Sequence, residues 1–284
     1  MAETLLDIFI DALLDTAKML PFLLGVYILI EYIEHRSSEK LGKALCKMGP
    51  FGPIGGAALG AVPQCGFSVV ASNLFAGRLI SMGTLVAVFI STSDEAIPMM
   101  ISNPHSINNL CKLILIKVAL AIPVGIIVDI VIKILHMDKE EAHFHEICAH
   151  CDCEHHSIFR AALSHTTEII IFIFIVNILL GTFMEFAGKE TVEKILMSNS
   201  FFQPLIAGIV GFIPNCAASV VLTQLYIEGV LSFGSVIAGL TTGAGIGILI
   251  LFKMNRHHLK QNITIMGILY VAGVVSGLLI NAIM

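Results

Sequence analysis

Two short motifs in this chain combine residue types that could bind a soft ion. Each holds a proline, a side-chain amide, a cysteine and a later serine. The residues are Pro63, Gln64, Cys65 and Ser68 in the first copy and Pro214, Asn215, Cys216 and Ser219 in the second. Thiolates bind Cu(I) and Zn(II), and the same softness argument extends to arsenic(III). Cysteine is also a common interior residue, and the polar neighbours could coordinate a solute or only satisfy backbone groups that the prolines leave free.

A pair of adjacent carboxylates is a second candidate. Asp94 and Glu95 interrupt a segment from Leu79 to Cys111 that holds no other Asp, Glu, Lys or Arg. A charge at the centre of a bilayer costs about 3 kcal/mol on insertion scales, so such residues are usually functional. Proton coupling or cation binding is the natural role; the alternative is a pair near a helix end, among lipid headgroups. The second half has Gly245 at the matching position, so the predicted site is acidic on one side only.

A polar stretch between the two halves of the chain is rich in metal-binding side chains. Its candidate ligands are His143, His145, Cys148, His150, Cys151, Cys153, His155 and His156. Tracts of this composition bind zinc-like metals. The spacing lacks the regular pairs of a folded zinc finger, so we expect a flexible chelating tract for Zn or another soft metal. The alternative is a solvated linker of mixed charge whose histidines bind nothing.

The two motifs belong to an internal duplication with an offset of 151 residues, from Pro63 to Pro214. The match continues without a gap through Leu74 with Leu225. In each half we predict one helix, then a stretch broken by glycine and proline, then two further helices, at about 79–101 and 112–135 and at about 230–252 and 263–283. The predicted divisions are a first transmembrane repeat at 1–135, a His/Cys-rich linker at 136–164 and a second repeat at 165–284.

Composition places these repeats in a membrane. Of 284 residues, 56% are hydrophobic and 13% are charged, and the mean hydropathy is +0.90. Soluble proteins have about 25% charged residues. A membrane-spanning helix needs about 20 apolar residues, and four longer runs have no Asp, Glu, Lys or Arg: Met48–Gly77, Ile195–Ile227, Gly229–Phe252 and Ile263–Met284. Two of these runs contain the Pro-x-Cys motifs, and paired interrupted segments are typical of a transporter's substrate site.

The topology follows from the basic loops. The loops 35–47 and 253–262 carry most of their charge as Lys and Arg and should face the cytoplasm. The N-terminal segment is acidic, unlike a signal peptide, and would lie outside. If each broken stretch is a hairpin or two full crossings, the halves are inverted and the linker is cytoplasmic. If each is a single bent span, the halves are parallel and the linker is outside. We prefer the inverted arrangement.

Other charged residues and other protein classes carry less weight. Asp129, Lys117, His165 and Glu168 lie near predicted helix ends, where snorkelling to the interface explains them.

The chain has no Gly-Lys-Ser/Thr phosphate loop, no Gly-x-Ser-x-Gly and no His-Glu-x-x-His. An intramembrane enzyme would need a nucleophile, base or metal constellation beside the acid pair. A metal sensor or scaffold, in which the linker is the active part, is a third class. We expect no enzyme.

The motifs together resemble a known family. The two Pro-x-Cys segments, Ser91–Pro98 and the His/Cys-rich linker look like the ten-helix heavy-metal exporters, also called arsenic efflux proteins or manganese transporters. More distantly, they resemble the permeases that export organoarsenicals. The resemblance covers essentially the whole chain. It implies an all-α polytopic membrane protein of ten segments, in two five-segment repeats.

The leading interpretation is a secondary exporter of a heavy metal or metalloid, an arsenical or a Mn/Zn-like ion. Proton coupling through Asp94 and Glu95 is expected, with the substrate between the two Pro-x-Cys hairpin tips. Cysteines suit an arsenical, whereas carboxylate, amide and hydroxyl oxygens suit manganese. The alternative is a transporter of an organic or inorganic anion, because half-helix N-termini favour negative charge. The expected location is the inner membrane of a prokaryote. Expected partners are the lipid bilayer, a small inorganic or organometallic solute and an optional second copy of the chain, without nucleic acid or a required cofactor.

Overall fold

A computed structural model of the chain describes residues 51–62, 66–93, 96–102, 107–135, 158–183 and 202–283, with separate helical positions between 8 and 28. All regular structure in these ranges is helical. The first repeat contributes α1 (Gly52–Gly60), α2 (Gly66–Ala76), α3 (Met82–Ser91), α4 (Ala96–Ser102) and α5 (Ile107–Ile134). The helix α6 spans Ile158–Phe183, and the second repeat contributes α7 (Gln203–Gly211), α8 (Cys216–Ile227), α9 (Phe233–Thr242), α10 (Ile246–Met254) and α11 (Leu259–Ile283).

The helix boundaries recur along the chain with the offset that the sequence match predicts. The helices α1 and α7 begin at Gly52 and Gln203, and α3 and α9 begin at Met82 and Phe233. Each interval is 151 residues, the interval between Pro63 and Pro214. Both α1 and α7 have proline in the first turn, where its missing N–H costs no hydrogen bond. The two repeats therefore fold into the same series of elements.

The third segment of each repeat is broken, which corrects the prediction of continuous helices at 79–101 and 230–252. In the first repeat α3 ends at Ser91, and Thr92 has extended backbone with φ −60° and ψ 130°. In the second repeat α9 ends at Thr242, and Gly245 has φ +54° and ψ −141°. Only glycine adopts that last conformation without strain. Each repeat therefore has two interruptions, one near Pro-x-Cys and one between the two halves of the following segment.

Glycine pairs allow the helices of each repeat to cross in close contact. The helix α3 packs on α1 and α5, and α9 packs in the same way on α7 and α11. At the α3–α5 crossing, a Cβ on Gly125 would lie 2.6 Å from the carbonyl oxygen of Gly83. At the α9–α11 crossing, a Cβ on Gly277 would lie 2.5 Å from the carbonyl oxygen of Gly234. Small residues at such crossings are typical of membrane helix packing.

Polar caps from the outer helices hold the starts of α3 and α9. The Gly83 N–H donates to Asp129 Oδ1 at 2.8 Å, and the Ser81 hydroxyl donates to Asp129 Oδ2 at 2.8 Å. In the second repeat the Gly234 N–H donates to Asn281 Oδ1 at 3.0 Å. These bonds satisfy N–H groups that have no partner within their own helix. Asp129 thus caps α3, a role that its predicted place near a helix end did not include.

This cap predicts different outcomes for two substitutions at Asp129. Asp129→Ala should destabilise the fold by about 1–2 kcal/mol, because the buried N–H of Gly83 loses its acceptor. Asp129→Asn should be nearly neutral, because Asn281 makes the equivalent bond in the second repeat. The comparison requires thermal unfolding of both variants in one detergent. Equal losses in the two variants would mean that the carboxylate charge, and not the cap, stabilises α3.

Half-helices of each repeat pack against half-helices of the other repeat. The helix α2 of the first repeat packs on α10 of the second, and α8 of the second packs on α4 of the first. One apolar cluster contains Leu85 and Phe89 from α3 together with Ala244 and Ile248 from the second repeat. All four side chains are buried. The repeats therefore share one core and are not separate bundles.

The described residues contain four helices long and apolar enough to cross a bilayer. They are Met82–Ile101, which includes the interruption after α3, then Ile107–Ile134, Phe233–Met254 and Arg256–Ile283. The first and third are mostly buried, whereas α5 and α11 expose large apolar side chains such as Leu115, Ile134 and Leu279. Broken segments thus lie inside, and the continuous helices α5 and α11 present an apolar surface suited to lipid.

Candidate functional site

The Pro-x-Cys motif of the second repeat forms an interruption between α7 and α8. The helix α7 ends at Gly211, residues 212–215 form a bend and α8 begins at Cys216. Asn215 is the N-cap of α8, and its Oδ1 accepts the Ala217 N–H at 3.4 Å. The Asn215 side chain is buried at 9% exposure, and Pro214 is partly buried. Of the two roles predicted for this amide, the structure accounts for the one that satisfies freed backbone groups.

The first copy of the motif lies mostly outside the described residues. The helix α1 ends at Gly60 and α2 begins at Gly66, so an interruption occurs at the matching position. The residues Pro63, Gln64 and Cys65 fall between the described ranges, and only the backbone of Cys216 is described. A contact between the two cysteines therefore stays a prediction.

The two motif serines border the same interruption of the second repeat. Ser68 is fully buried, and a Cβ on Gly247 would lie 2.8 Å from its Cβ. Ser72 reinforces this contact, since its hydroxyl donates to the Gly247 carbonyl at 2.7 Å. Ser219 lies on the other side, with its Oγ 3.7 Å from the Cβ position of Gly243. The break between α9 and α10 is thus flanked by one serine from each repeat.

Two buried hydroxyls beside the interruptions of α3 and α9 have no hydrogen-bond partner within the described part of the chain. They are Ser93 Oγ, just after α3, and Thr241 Oγ1, in the last turn of α9. Ser93 is 4% exposed and Thr241 is fully buried. Most buried polar groups in proteins are hydrogen-bonded, so two unsatisfied hydroxyls at matching breaks indicate a place where a solute or ion could bind.

Lys117 is a functional candidate whose position near a helix end was predicted wrongly from the sequence. The helix α5 begins at Ile107 and not near residue 112, so Lys117 lies about 15 Å inside it. Its side chain is fully buried, which excludes snorkelling to the interface. Its Nζ donates to the Thr92 carbonyl and, at 2.7 Å, to the Leu240 carbonyl. A single ammonium therefore joins the interruptions of both repeats.

A sequence signal for Lys117 did exist. It is the only charged residue between Leu113 and Gly125, in a stretch that is otherwise apolar. A lone charge in such a stretch is a functional-site hypothesis by default. The helix was predicted to begin near residue 112, which places Lys117 in its second turn and not near the middle. Lys117 therefore looked like a residue at a helix end.

The remaining predicted site residues lie outside the described part of the chain. Asp94 and Glu95 fall between α3 and α4, directly after the buried Ser93. The tract from His143 to His156 falls between α5 and α6. Within the described ranges, no three His, Cys, Asp or Glu side chains come close enough to form a metal site. Metal binding by the tract and coupling through the acid pair therefore stay predictions.

Comparison with protein families adds independent evidence. The family model described as "Putative, 10TM heavy-metal exporter" matches residues 1–189 and 178–284, so it covers the whole chain in two segments. The chain belongs to this family. Neither the curated proteins nor the solved structures that were compared gave a match.

Membership in the exporter family confirms the resemblance found in the sequence. Together with the four apolar helices of spanning length, it indicates an integral membrane protein whose partners are lipid and a small solute. The family description agrees with the ten predicted segments. It names heavy metals as a class, and it names neither arsenic nor manganese as the transported ion.

Proposed function

We propose that this chain is a secondary transporter that exports a heavy-metal or metalloid ion through the region where its interrupted helices meet. The observation that carries the proposal is the packing of the half-helices: α2 on α10 and α8 on α4, each pair joining the two repeats. Irregular backbone at membrane depth is tolerated only where protein or a water-filled cavity surrounds it. Discontinuous helices at a repeat interface are the usual substrate site of secondary transporters.

The exchanged packing fits a two-fold relation between the repeats, which an inverted arrangement has. A two-fold relation between the repeats would pair α2 with α10 and α8 with α4, as found, and pseudo-two-fold axes in the membrane plane are common in transporters. We therefore propose that each Pro-x-Cys segment is a hairpin whose tip reaches the midplane. Alternating access would follow from rocking one repeat against the other around that site.

The substrate class depends on which ligands face the ion. If Cys65 and Cys216 meet at the hairpin tips, two thiolates would bind a soft ion such as arsenite or methylarsenite. Oxygen ligands from Ser68, Ser219 and the carboxylates Asp94 and Glu95 would instead suit a manganese-like ion. We propose the soft ion as the main substrate, because the cysteines recur at matching positions of both repeats.

Location and accessory sites complete the proposal. The chain would lie in the inner membrane of a prokaryote, with the basic loops and, in the inverted arrangement, residues 136–164 on the cytoplasmic side. The tract 143–156 would hold Zn or another soft metal and deliver or sense it, whereas transport itself would need no cofactor. A homodimer is compatible with the exposed apolar faces of α5 and α11.

A second candidate function is export of an anion. Lys117 contributes a buried positive charge, and the first turns of α2 and α10 are in contact at Ser68 and Gly247. Helix N-termini carry a partial positive charge that favours anions. These two features would suit an oxyanion better than a bare cation. Phosphate is therefore one of the solutes to be tested for transport.

The test is flux through proteoliposomes that contain the purified chain. Arsenite, methylarsenite, Mn(II), Zn(II) and phosphate would be compared, with and without a pH gradient. We expect the gradient to accelerate flux of an arsenical or metal ion in the wild type. Asp94→Asn should reduce the acceleration by the gradient, because the site loses one of its two titratable carboxylates.

Asp129→Asn is the matched control, since it removes a carboxylate from the cap of α3 and not from an interruption. Its flux should keep the response to the pH gradient. Flux of phosphate alone would contradict metal export and support the anion alternative. Equal gradient responses in Asp94→Asn and wild type would contradict the coupling role of Asp94.

A further inference from the structure

We propose that the ammonium of Lys117 takes the place of a bound alkali cation between the two repeats, so that transport by this chain requires no sodium. The inference rests on the proposed transport function and extends it to the choice of coupling ion. Lys117 then acts as a positioning residue that holds both α3 and α9 at their interruptions.

The carbonyls that Lys117 contacts lack helical partners. In a continuous helix the Leu240 carbonyl would accept the Ala244 N–H, four residues on. Here the Ala244 N–H donates instead to the Thr242 carbonyl at 3.0 Å. Thr92 is the C-cap of α3, and its extended backbone turns the chain out of the helix. Both oxygens therefore lie at the negative ends of broken helices, where a cation is favoured.

Such carbonyls form cation sites in transporters with discontinuous helices. Unwound carbonyls and half-helix C-terminal ends coordinate Na⁺ in several transporter folds. Thr92 and Leu240 supply one such oxygen from each repeat, and the Lys117 Nζ lies between them. The protein thus fills the position with its own charge, and a free cation would compete with a tethered ammonium for the same oxygens.

Each of the two carbonyls is followed in the chain by a residue with an unsatisfied hydroxyl. Ser93 directly follows Thr92, and Thr241 directly follows Leu240. Both hydroxyls are buried and have no hydrogen-bond partner among the residues that the structure describes. Alkali and other hard cations take several oxygen ligands, including hydroxyls and carbonyls. The Thr92 and Leu240 carbonyls are therefore the two oxygens that the lysine releases when it is removed, and the hydroxyls that follow them in the chain are candidates for further ligands.

One lysine serves both repeats. The equivalent outer helix α11 has no Lys, Arg or His from Asn262 to Met284. The described residues of α1, α3, α4 and α9, which pack on α5, include no ionisable side chain, and α11 contributes Lys260 and Tyr270. Asp94 and Glu95 follow Ser93 in the chain. The positive charge at the junction of α3 and α9 is thus a single residue that a substitution can remove.

The first experiment measures thermal unfolding of purified protein in NaCl and in choline chloride. Lys117→Ala opens space between the two carbonyls, so Na⁺ at about ten times its Kd should raise its Tm by about 3–6 °C above the choline value. The wild type should show no difference between the salts. Lys112→Ala, an exposed lysine on the same helix, should behave like the wild type.

Two further variants separate a cation site from a packing defect. Lys117→Met fills the space with an apolar chain, so it should lose stability without recovery in NaCl. Lys117→Arg keeps a permanent cation and should remain indifferent to sodium. If Lys117→Ala does not fold, Lys117→Ser serves the same test, because its hydroxyl adds one oxygen ligand. A Tm of the alanine or serine variant that is equal in both salts would overturn the proposal.

The second experiment measures flux in proteoliposomes, with the panel solute that the wild type carries. Wild-type flux should be equal in sodium and choline buffers. Lys117→Ala should lose at least about tenfold in choline and recover part of that loss in sodium. Wild-type flux that requires sodium would overturn the inference and leave the export function standing. If no panel solute moves, the proposed function fails, and the unfolding experiment alone decides whether Lys117 occupies a cation site.

Discussion

Gly211→Ala should destabilise the protein by about 2–3 kcal/mol, although alanine normally favours a helix. Gly211 is the last residue of α7, directly before the second Pro-x-Cys motif. A Cβ there would overlap the carbonyl oxygen of Gly239 and the hydroxyl of Thr242 on α9. The carbonyl belongs to a helix backbone and cannot rotate away. The strain must separate α7 from α9.

The same substitution should also weaken a hydrogen bond between these helices. The Thr242 hydroxyl donates to the Gly208 carbonyl at 2.8 Å, and displacement of α7 would lengthen this contact. Gly267→Ala is the matched control, because a Cβ at Gly267 in α11 meets nothing within 4 Å. It should stabilise the protein by about 0.5–1 kcal/mol. Thermal unfolding of both variants in one detergent gives the comparison, and equal midpoints would show that α7 and α9 do not cross this closely.

The double substitution Cys65→Ser and Cys216→Ser should reduce flux of arsenite or methylarsenite at least about 100-fold. Two soft thiolates would be replaced by hydroxyls, which bind arsenic(III) and other thiophilic ions poorly. Flux of Mn(II) should change little, because manganese prefers oxygen ligands. The measurement is initial flux in proteoliposomes at equal amounts of reconstituted protein.

Cys111→Ser is the control for this experiment. Cys111 is an exposed free cysteine in the second turn of α5 and belongs to neither Pro-x-Cys motif, so its replacement should leave the flux unchanged. Each single cysteine variant should lose nearly as much as the double variant if both thiolates bind one ion. Arsenical flux that survives the double substitution would contradict the thiol mechanism and direct attention to Asp94 and the oxygens around α3 and α9.

Much of the architecture was predictable because it depends on local patterns. The apolar runs predicted membrane helices, and the repeated Pro-x-Cys motif predicted an interruption after Gly60 and after Gly211. Proline removes a backbone donor at any site, so its effect can be read from the chain alone. The constant offset of the repeats needed only a comparison of the chain with itself, and the helix boundaries follow it.

The interruptions after α3 and α9 were not predicted, since no proline marks them. Residues Ser91–Ser93 can hydrogen-bond to nearby backbone, and Gly245 can adopt positive φ, but such residues also occur within continuous membrane helices. The packing of α2 on α10 and of α8 on α4 takes the half-helices away from a straight path. Those contacts join residues far apart in the chain, so the local pattern of apolar residues cannot predict them.

The sequence by itself determined the class of the protein, an apolar helical membrane protein of the heavy-metal exporter family, and its family membership confirms this class. Only the tertiary structure decided the environment of individual charges. Lys117 and Lys112 are the same residue type on the same helix, yet Lys117 is buried between the Thr92 and Leu240 carbonyls and Lys112 is exposed. The physical reason is that a buried charge needs hydrogen-bond partners, and here the partners are backbone carbonyls that have lost their helical N–H donors. These carbonyls belong to different repeats, so they come together only when both repeats are folded.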